Sequence, residues 1–403
     1  MEKETDQSVS LYAILMCLLC ALFYSYQYMV RVAPGQCIDV ILSDLNLDAA
    51  FAGKLSAIYL TGYSLAQIPV AMIANKFGPK KASLLGLSIV VFANFLQYYA
   101  QCQSGILFTR ALVGFGSAFA MLCTLQMCQV WLHPNYAGRS LGFVVILGML
   151  GIGISQYLVG YLLYIGVLWR ELSVILGLLG VALAVSYVLF LDDKGPYSIA
   201  RDDSSSEAFS ITEFLTLSFA INCIYSWLSY APLVVMDYWA GKIASDLGSG
   251  NIQSALTFGL IIGLSGAGYL ADRFGFKRTI IAGGTVSGGL CMLTYVIPIE
   301  YYTPLFFIIG MSAATSPLPI GFSAMLISAS QSGTARGVTN LTQMIGAAIT
   351  TTAIGTYIAS GSYTIVNDTR VYDLATYQSI FAIIGMSIIA GTVLMCFVKS
   401  TAK

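Results

Sequence analysis

Stretches of about twenty apolar residues, divided by short polar breaks, recur along the chain. They lie at roughly 11–33, 50–74, 82–101, 105–132, 140–163, 172–191, 212–236, 251–271, 279–298, 303–328, 338–360 and 376–398. Crossing the hydrocarbon of a bilayer takes ~20 residues of helix. Each run therefore predicts a spanning helix, and the whole predicts an all-α membrane protein with twelve transmembrane helices in two pseudo-symmetric six-helix bundles. The one long polar interruption, Asp192–Ser210, reads DDKGPYSIARDDSSSEAFS. An acidic, serine-rich stretch has little apolar surface to bury and predicts a solvated linker. The expected organisation is a first bundle over 1–191, a linker over 192–211 and a second bundle over 212–403. An even number of spans puts both ends on one side.

Composition sharpens the class. Of 403 residues, 57% are hydrophobic and 9% charged, against roughly a quarter charged in a soluble domain. The 19 basic and 19 acidic residues cancel, so no field attracts nucleic acid. The first run has neither a basic segment before it nor a small-residue cleavage site, and is expected to stay as a span. Lys3, Lys76, Lys80, Lys81, Arg139, Lys194, Arg201, Arg273, Lys277, Arg278, Arg336, Lys399 and Lys403 all fall on the side of the termini. Since loops rich in Lys and Arg stay inside, both termini and the linker are expected to be cytoplasmic.

Catalytic chemistry has little material. The nine cysteines sit mostly in apolar runs, the C-x-x-C pair Cys17–Cys20 of the first run included, and the single histidine is His133. One histidine builds neither a metal site nor a triad, so no metal, no cofactor and no enzyme activity are expected. No G-x-x-x-x-G-K-[ST] loop is present, which argues against ATP-driven pumping.

The two halves repeat. Asn75-Lys76-Phe77-Gly78-Pro79-Lys80-Lys81 recurs as Asp272-Arg273-Phe274-Gly275-Phe276-Lys277-Arg278, and Arg139 recurs as Arg336, both at an offset of 197. Ala33-Pro34 matches Ala231-Pro232 at an offset of 198. Parallel repeats of this kind are a transporter architecture with the solute site near mid-depth between them. The second loop with its preceding glycine, Gly268-x-x-x-Asp272-Arg273-x-Gly275-x-Lys277-Arg278, resembles the G-x-x-x-D-R-x-G-x-[RK]-[RK] motif of the major facilitator superfamily. Arg110-x-x-x-Gly114-x-Gly116-Ser117-Ala118 is similar to that family's fourth-helix motif, and Trp131-Leu-His-Pro134 with Arg139-Ser-Leu-Gly142 to its loop between helices four and five. The resemblance implies twelve helices, alternating access and a cytoplasmic latch in which Asp272 pairs with basic residues. The first copy carries Asn75 where the family usually has aspartate.

Polar residues inside the runs mark the candidate site. Tyr24, Gln27, Tyr28 and Arg31 fall at i, i+3, i+4 and i+7, one face of the first span. A charge in hydrocarbon costs ~2.5 kcal/mol or more, so Arg31 is expected to face a wet cavity. If the first helix continues past Pro34, Arg31 lies near mid-depth; if it stops at Ala33, Arg31 lies at the outer rim. Tyr59 and Tyr63 form a comparable stripe in the second span, and Arg110 is a second buried cation that either orients substrate or serves structure. Asn222, Tyr225, Ser229 and Tyr230 repeat the stripe in the seventh span, and Asn340 and Gln343 share a face of the eleventh.

Two intramembrane arginines without a carboxylate well inside the spans favour an anionic group on the solute. Tyr28-x-x-Arg31 is similar to the first helix of organophosphate antiporters, but Ser229 stands where those have a second arginine. Arg31-Val-Ala-Pro34 resembles a bacterial group related to lysosomal dipeptide transporters. The expected function is a monomeric secondary transporter in the bilayer, moving a small-molecule substrate that carries a carboxylate: amino acid, short peptide or organic acid. The alternatives are a multidrug exporter and a non-transporting membrane sensor of the same fold. A bacterial inner membrane is the expected location, with an organelle membrane as the alternative. Asp237, Glu213 and Glu300 fall at the ends of runs. Facilitated diffusion is thus the expected mode, unless Asp39 or Asp237 carries a proton.

Overall fold

The computed structural model describes residues 10–132, 137–192, 194–196, 211–248, 252–328, 331–366 and 369–399. His133, Pro134 and most of the expected linker lie outside the described residues. Before the linker come α1 (Leu11–Gln36), α2 (Ile38–Asp44), α3 (Ala49–Phe77), α4 (Pro79–Tyr98), α5 (Gln103–Trp131), α6 (Ala137–Tyr164) and α7 (Trp169–Phe190). After it come α8 (Leu217–Leu247), α9 (Ile252–Phe274), α10 (Phe276–Leu293), α11 (Tyr302–Ala313), α12 (Leu318–Ser323), α13 (Ser332–Ala359) and α14 (Leu374–Cys396). Among the described residues, ten stretches are long and apolar enough to cross a membrane; α10 and α13 are not among them. The fold is all-α and membrane-spanning. Helices α3 and α13 pack along one another and form the main seam between the two sets, while α4 packs on α5 and α7 and α10 on α14.

Four boundaries differ from the apolar pattern, each for a physical reason. The first helix runs past Pro34 to Gln36 and resumes as α2 after Cys37. Helix α8 continues to Leu247 through Pro232, so Asp237 lies inside a helix, ten residues before its end, and not at a span end. The tenth passage is broken between Ala313 and Leu318, where Pro317 and Pro319 each remove an N–H from the helical ladder. Between α13 and α14, β1 (Tyr363–Val366) and β2 (Thr369–Tyr372) form an antiparallel hairpin with Tyr363 opposite Tyr372.

The repeated loop has the same local structure twice. Gly78 and Gly275 end α3 and α9 with φ of 84° and 90°, a left-handed backbone that glycine alone adopts without cost. Two residues later Lys80 donates to the Val188 and Leu191 carbonyls at the end of α7. Lys277 does the same for α14, reaching the carbonyls of Cys396 at 2.9 Å and Val398 at 2.7 Å. A helix end leaves carbonyls without partners, and an ammonium there meets both the hydrogen-bonding need and the dipole. Lys76, Lys81, Arg273 and Arg278 are exposed; Arg273 donates to the Tyr269 hydroxyl on its own helix at 3.2 Å and lies 5.5 Å from the Phe274 ring centre. Asp272 and Gly268 are exposed too, and Asp272 forms no ion pair among the described residues.

Candidate functional site: a cavity between the two sets of helices

A cavity of about 100 Å³ lies between the two sets of helices. Helix α1 contributes Tyr24, Gln27, Tyr28 and Arg31, and α3 contributes Tyr59, Leu60 and Tyr63. From the other set come Tyr230 and Leu233 of α8, Leu260 and Leu264 of α9, Pro317 and Ile320 at the broken passage, and Asn340, Gln343 and Met344 of α13. Met121 and Met149 complete the wall. Helical spacing on α1 alone brings its four polar residues to one side.

The polar groups are partly paired. Arg31 Nη1 donates to the Tyr230 hydroxyl across the seam at 3.3 Å, and the guanidinium lies 5.5 Å from the Tyr28 ring centre. Gln27 Nε2 donates to the Tyr59 hydroxyl at 2.7 Å, leaving Gln27 Oε1 buried without a partner. The Tyr24 and Tyr28 hydroxyls are 3.3 Å apart. Gln343 Nε2 donates to the Ser316 carbonyl at 3.1 Å. No ion pair involves Arg31 among the described residues.

Two expected positions fall elsewhere. Ser229 is buried and bonds the Ser226 carbonyl on its own helix at 3.4 Å. Arg110 is buried behind α1, where Nη1 donates to the Val30 carbonyl at 2.8 Å and Nη2 to the Arg31 carbonyl at 3.0 Å. Pro34 has no N–H to offer Val30 four residues earlier, so Arg110 supplies the missing donor. It also lies 4.8 Å from the Tyr59 ring centre. The apolar wall residues carried no signal in the sequence, because a cavity-facing leucine or methionine resembles any other in a spanning helix. Asn222, on the expected stripe of α8, donates to the Pro319 carbonyl of the broken passage at 3.0 Å.

Beyond the cavity, away from the termini, the two sets are held together. Lys242, with 1% of its side chain exposed, bonds Asp39 at 2.6 Å and Asp246 at 2.9 Å, and donates to the Arg370 carbonyl at 2.8 Å. Asp246 also accepts from the Tyr377 hydroxyl at 2.6 Å and the Tyr372 amide at 3.0 Å. Asp39 belongs to the first set and the other partners to the second. Nearby, a Cβ on Gly35 would come within 2.7 Å of the Tyr238 carbonyl, so only glycine permits this approach of α1 to α8. Gln156 meets Thr257 across the same end at 2.9 Å. The hydrogen bonds that join Arg31 to Tyr230, Gln156 to Thr257 and Ser254, and Asp39 to Lys242 across the sets lie from the cavity outward. No group of side chains suited to a metal ion occurs among the described residues.

The fold agrees with that of known proteins. The sequence profile described as Major Facilitator Superfamily matches residues 17–351. A protein of Escherichia coli described as "Probable L-galactonate transporter" is 22% identical over 57% of this chain, and the match spans 46% of that relative's length. "Multidrug resistance protein MdtL" of Shigella dysenteriae is 19% identical over 77% of this chain and 80% of its own. The nucleoside transporter NupG superposes with a TM-score of 0.75 at 14% identity, over 97% of this chain and all (100%) of its own. A bacterial homologue of the human lysosomal transporter Spinster, inward-facing and unoccupied, gives 0.73 at 14% identity over 97% and 96%. With the profile covering most of the chain, and with two sets of helices meeting at a polar cavity, this protein belongs to the major facilitator superfamily: it is a multi-pass membrane transporter, not an enzyme.

Proposed function

We propose that the protein moves a small carboxylate-bearing solute (an amino acid, short peptide or organic acid) by alternating access, with Arg31 as the anchor for the carboxylate. The observation that carries this reading is the state of Arg31. It faces the cavity with a phenol and an aromatic ring as neighbours and forms no ion pair among the described residues, and a cation so placed gains most from an anionic ligand. Tyr24, Tyr28, Tyr63, Tyr230, Asn340 and Gln343 supply neutral hydrogen-bonding groups around it, and Gln27 adds an unpartnered acceptor. The E. coli relative's name, with its sugar acid, fits the same chemistry. In this reading residues 1–191 and 212–403 rock as halves, the termini face the cytoplasm, the membrane is a bacterial inner membrane and the working unit is a monomer without cofactor.

Cavity size favours a small solute. About 100 Å³ is well below the ~300–1,000 Å³ of sites for drug-sized ligands. Multidrug export remains the second reading because MdtL is among the relatives. Arg110 and Ser229 have supporting roles here, outside the solute's reach. The test is a thermal-shift screen of purified protein against L-galactonate, amino acids, dipeptides, organic acids and lipophilic cations, followed by uptake in proteoliposomes. A solute that binds only the folded state raises the melting temperature. The expected hit carries a carboxylate, and Arg31→Ala abolishes both shift and uptake. Hits confined to lipophilic cations, or full uptake by Arg31→Ala, would refute the reading.

A further inference from the structure

One helical turn before Arg31 on α1, Gln27 is 2% exposed and lines the cavity. Its Nε2 is spent on the Tyr59 hydroxyl at 2.7 Å, while its Oε1 is buried with no partner. An amide oxygen accepts up to two hydrogen bonds, and an enclosed one with none has given up its hydration for nothing. The neighbouring phenols do not relieve it. Tyr24 has a single hydrogen, which it donates to Met121 Sδ at 3.6 Å, so the 3.3 Å contact between Tyr24 and Tyr28 uses the hydrogen of Tyr28. The α1 side of the cavity thus combines one strong donor, the Arg31 guanidinium, with one unserved acceptor about 6 Å away along the helix axis. A solute that fills both carries an anionic group and a hydrogen donor within a few bonds of each other.

Charge decides which donor fits. Arg31 is the only charged residue among the described residues that line the cavity. An ammonium brought to Gln27 would leave water beside a guanidinium, with no carboxylate of the wall to receive it. A hydroxyl offers the same hydrogen without the charge. Size sets the scale: about 100 Å³ holds roughly seven to ten water-sized groups at ~10–15 Å³ each, close to the heavy-atom count of a hydroxy acid with three or four carbons.

We propose that the solute is a short hydroxy acid, with its carboxylate on Arg31 and its hydroxyl donating to Gln27 Oε1, and that Gln27 selects hydroxy acids over their deoxy and amino counterparts. This rests on the carboxylate reading of Arg31 and narrows it. A site whose buried acceptor is served only by the solute's hydroxyl rejects the analogue that lacks it, because the acceptor is then left empty.

The test is calorimetric binding to the purified full-length protein. The probes are glycolate, L-lactate, 3-hydroxybutyrate and L-malate. Each is compared with its deoxy analogue (acetate, propionate, butyrate, succinate) and its amino counterpart (glycine, L-alanine, 3-aminobutyrate, L-aspartate). At least one hydroxy acid is expected to bind, roughly tenfold or more tighter than either counterpart. Gln27→Leu keeps the bulk and removes the acceptor, and is expected to bring the hydroxy-to-deoxy ratio close to one. Should that variant not fold, the ratios of the wild type decide by themselves. Equal binding of hydroxy and deoxy acids, tighter binding of the amino counterpart, no binding by any of the four hydroxy acids, or an unchanged ratio in Gln27→Leu overturns the proposal. The carboxylate reading survives each of these wherever Arg31→Ala loses the carboxylates that the wild type binds. Lactamide binding as tightly as lactate, or lactate binding retained by Arg31→Ala, overturns that reading instead.

Discussion

Arg110 Nη1 sits 2.8 Å from the carbonyl of Val30, the α1 carbonyl that Pro34 leaves without its helical donor. Its second nitrogen takes the next carbonyl, of Arg31. The motif arginine of the fourth passage thereby fixes the kinked segment that carries Arg31. Arg110→Ala is expected to cost ~1.5–3 kcal/mol, the worth of a buried charged hydrogen bond. Replacing Pro34 by alanine restores an N–H to Val30, so a double-mutant cycle should show that Arg110→Ala costs much less in a Pro34→Ala background. Equal costs in the two backgrounds, measured by chemical denaturation, would mean that Arg110 acts elsewhere.

The Asp39–Lys242 pair gives a prediction about access. When the far end opens, Asp39 leaves while Lys242 keeps Asp246, so no buried charge is orphaned. Asp39→Asn should therefore fold well and favour the far-side-open state. Native Cys37, buried two residues from Asp39, serves as the probe in a variant whose exposed Cys102 and Cys396 are changed to serine. A membrane-impermeant thiol reagent is expected to label Cys37 several-fold faster in Asp39→Asn than in the parent. Unchanged labelling would remove the pair from the opening step.

Lys242→Met should behave differently. It leaves the buried Asp246 beside half-buried Asp39 without a cation, and orphaning a buried charge is a class of change that costs ~3–5 kcal/mol. The expected outcome is a large fall in melting temperature and yield, partly reversed by adding Asp39→Asn. A Lys242→Met protein as stable as the parent would show that water reaches this cluster.

At the far surface, Arg170 and Trp169 both donate to Asp44, and the bond from Arg170 foremost holds its carboxyl below the usual carboxylate range. A depressed carboxylate stabilises the fold above its unfolded pKa and loses that contribution as pH falls through the folded value. Side-chain exposures of 43% for Asp44 and 27% for Arg170 limit the pair to under ~1 kcal/mol. Asp44→Asn should thus lower the melting temperature slightly at neutral pH and not at pH well below the carboxylate range. An equal loss at both pH values would assign the effect to packing.

The repeated loop was expected to hold a latch, and its residues divide by role. Lys80 and Lys277 are committed to helix ends within their own sets, whereas Asp272 is exposed and forms no ion pair among the described residues. A latch through Asp272 would form only when the end that carries it closes. Asp272→Asn should slow counterflow in liposomes more than Asn75→Ala, since only the second copy keeps a carboxylate. Equal effects would leave the motif with a structural part alone.

Much of this was legible from patterns that physics makes unambiguous. Apolar runs located the passages, because hydrocarbon tolerates little else, and the spacing of Tyr24, Gln27, Tyr28 and Arg31 marked a face that now lines the cavity. The illegible parts share a cause. Whether the first helix passes Pro34 stayed open, because the compensating donor comes from Arg110, 76 positions later in the chain (34 to 110). The apolar run of the seventh passage closes at 236 although its helix continues to Leu247, which put Asp237 at an end and hid its place behind Arg31. Lys242, Asp246 and the hairpin strands lie beyond the apolar windows, where sequence alone assigns no partner.

The break in the tenth passage is tied to the cavity wall. Two carbonyls at the break are held by amides from other helices, Asn222 on the Pro319 carbonyl and Gln343 on the Ser316 carbonyl. Gln343 also lines the cavity, and its Nε2 carries a second N–H. A solute that took that second N–H would be joined to the broken helix through a single side chain, so the seat and the joint would share one amide.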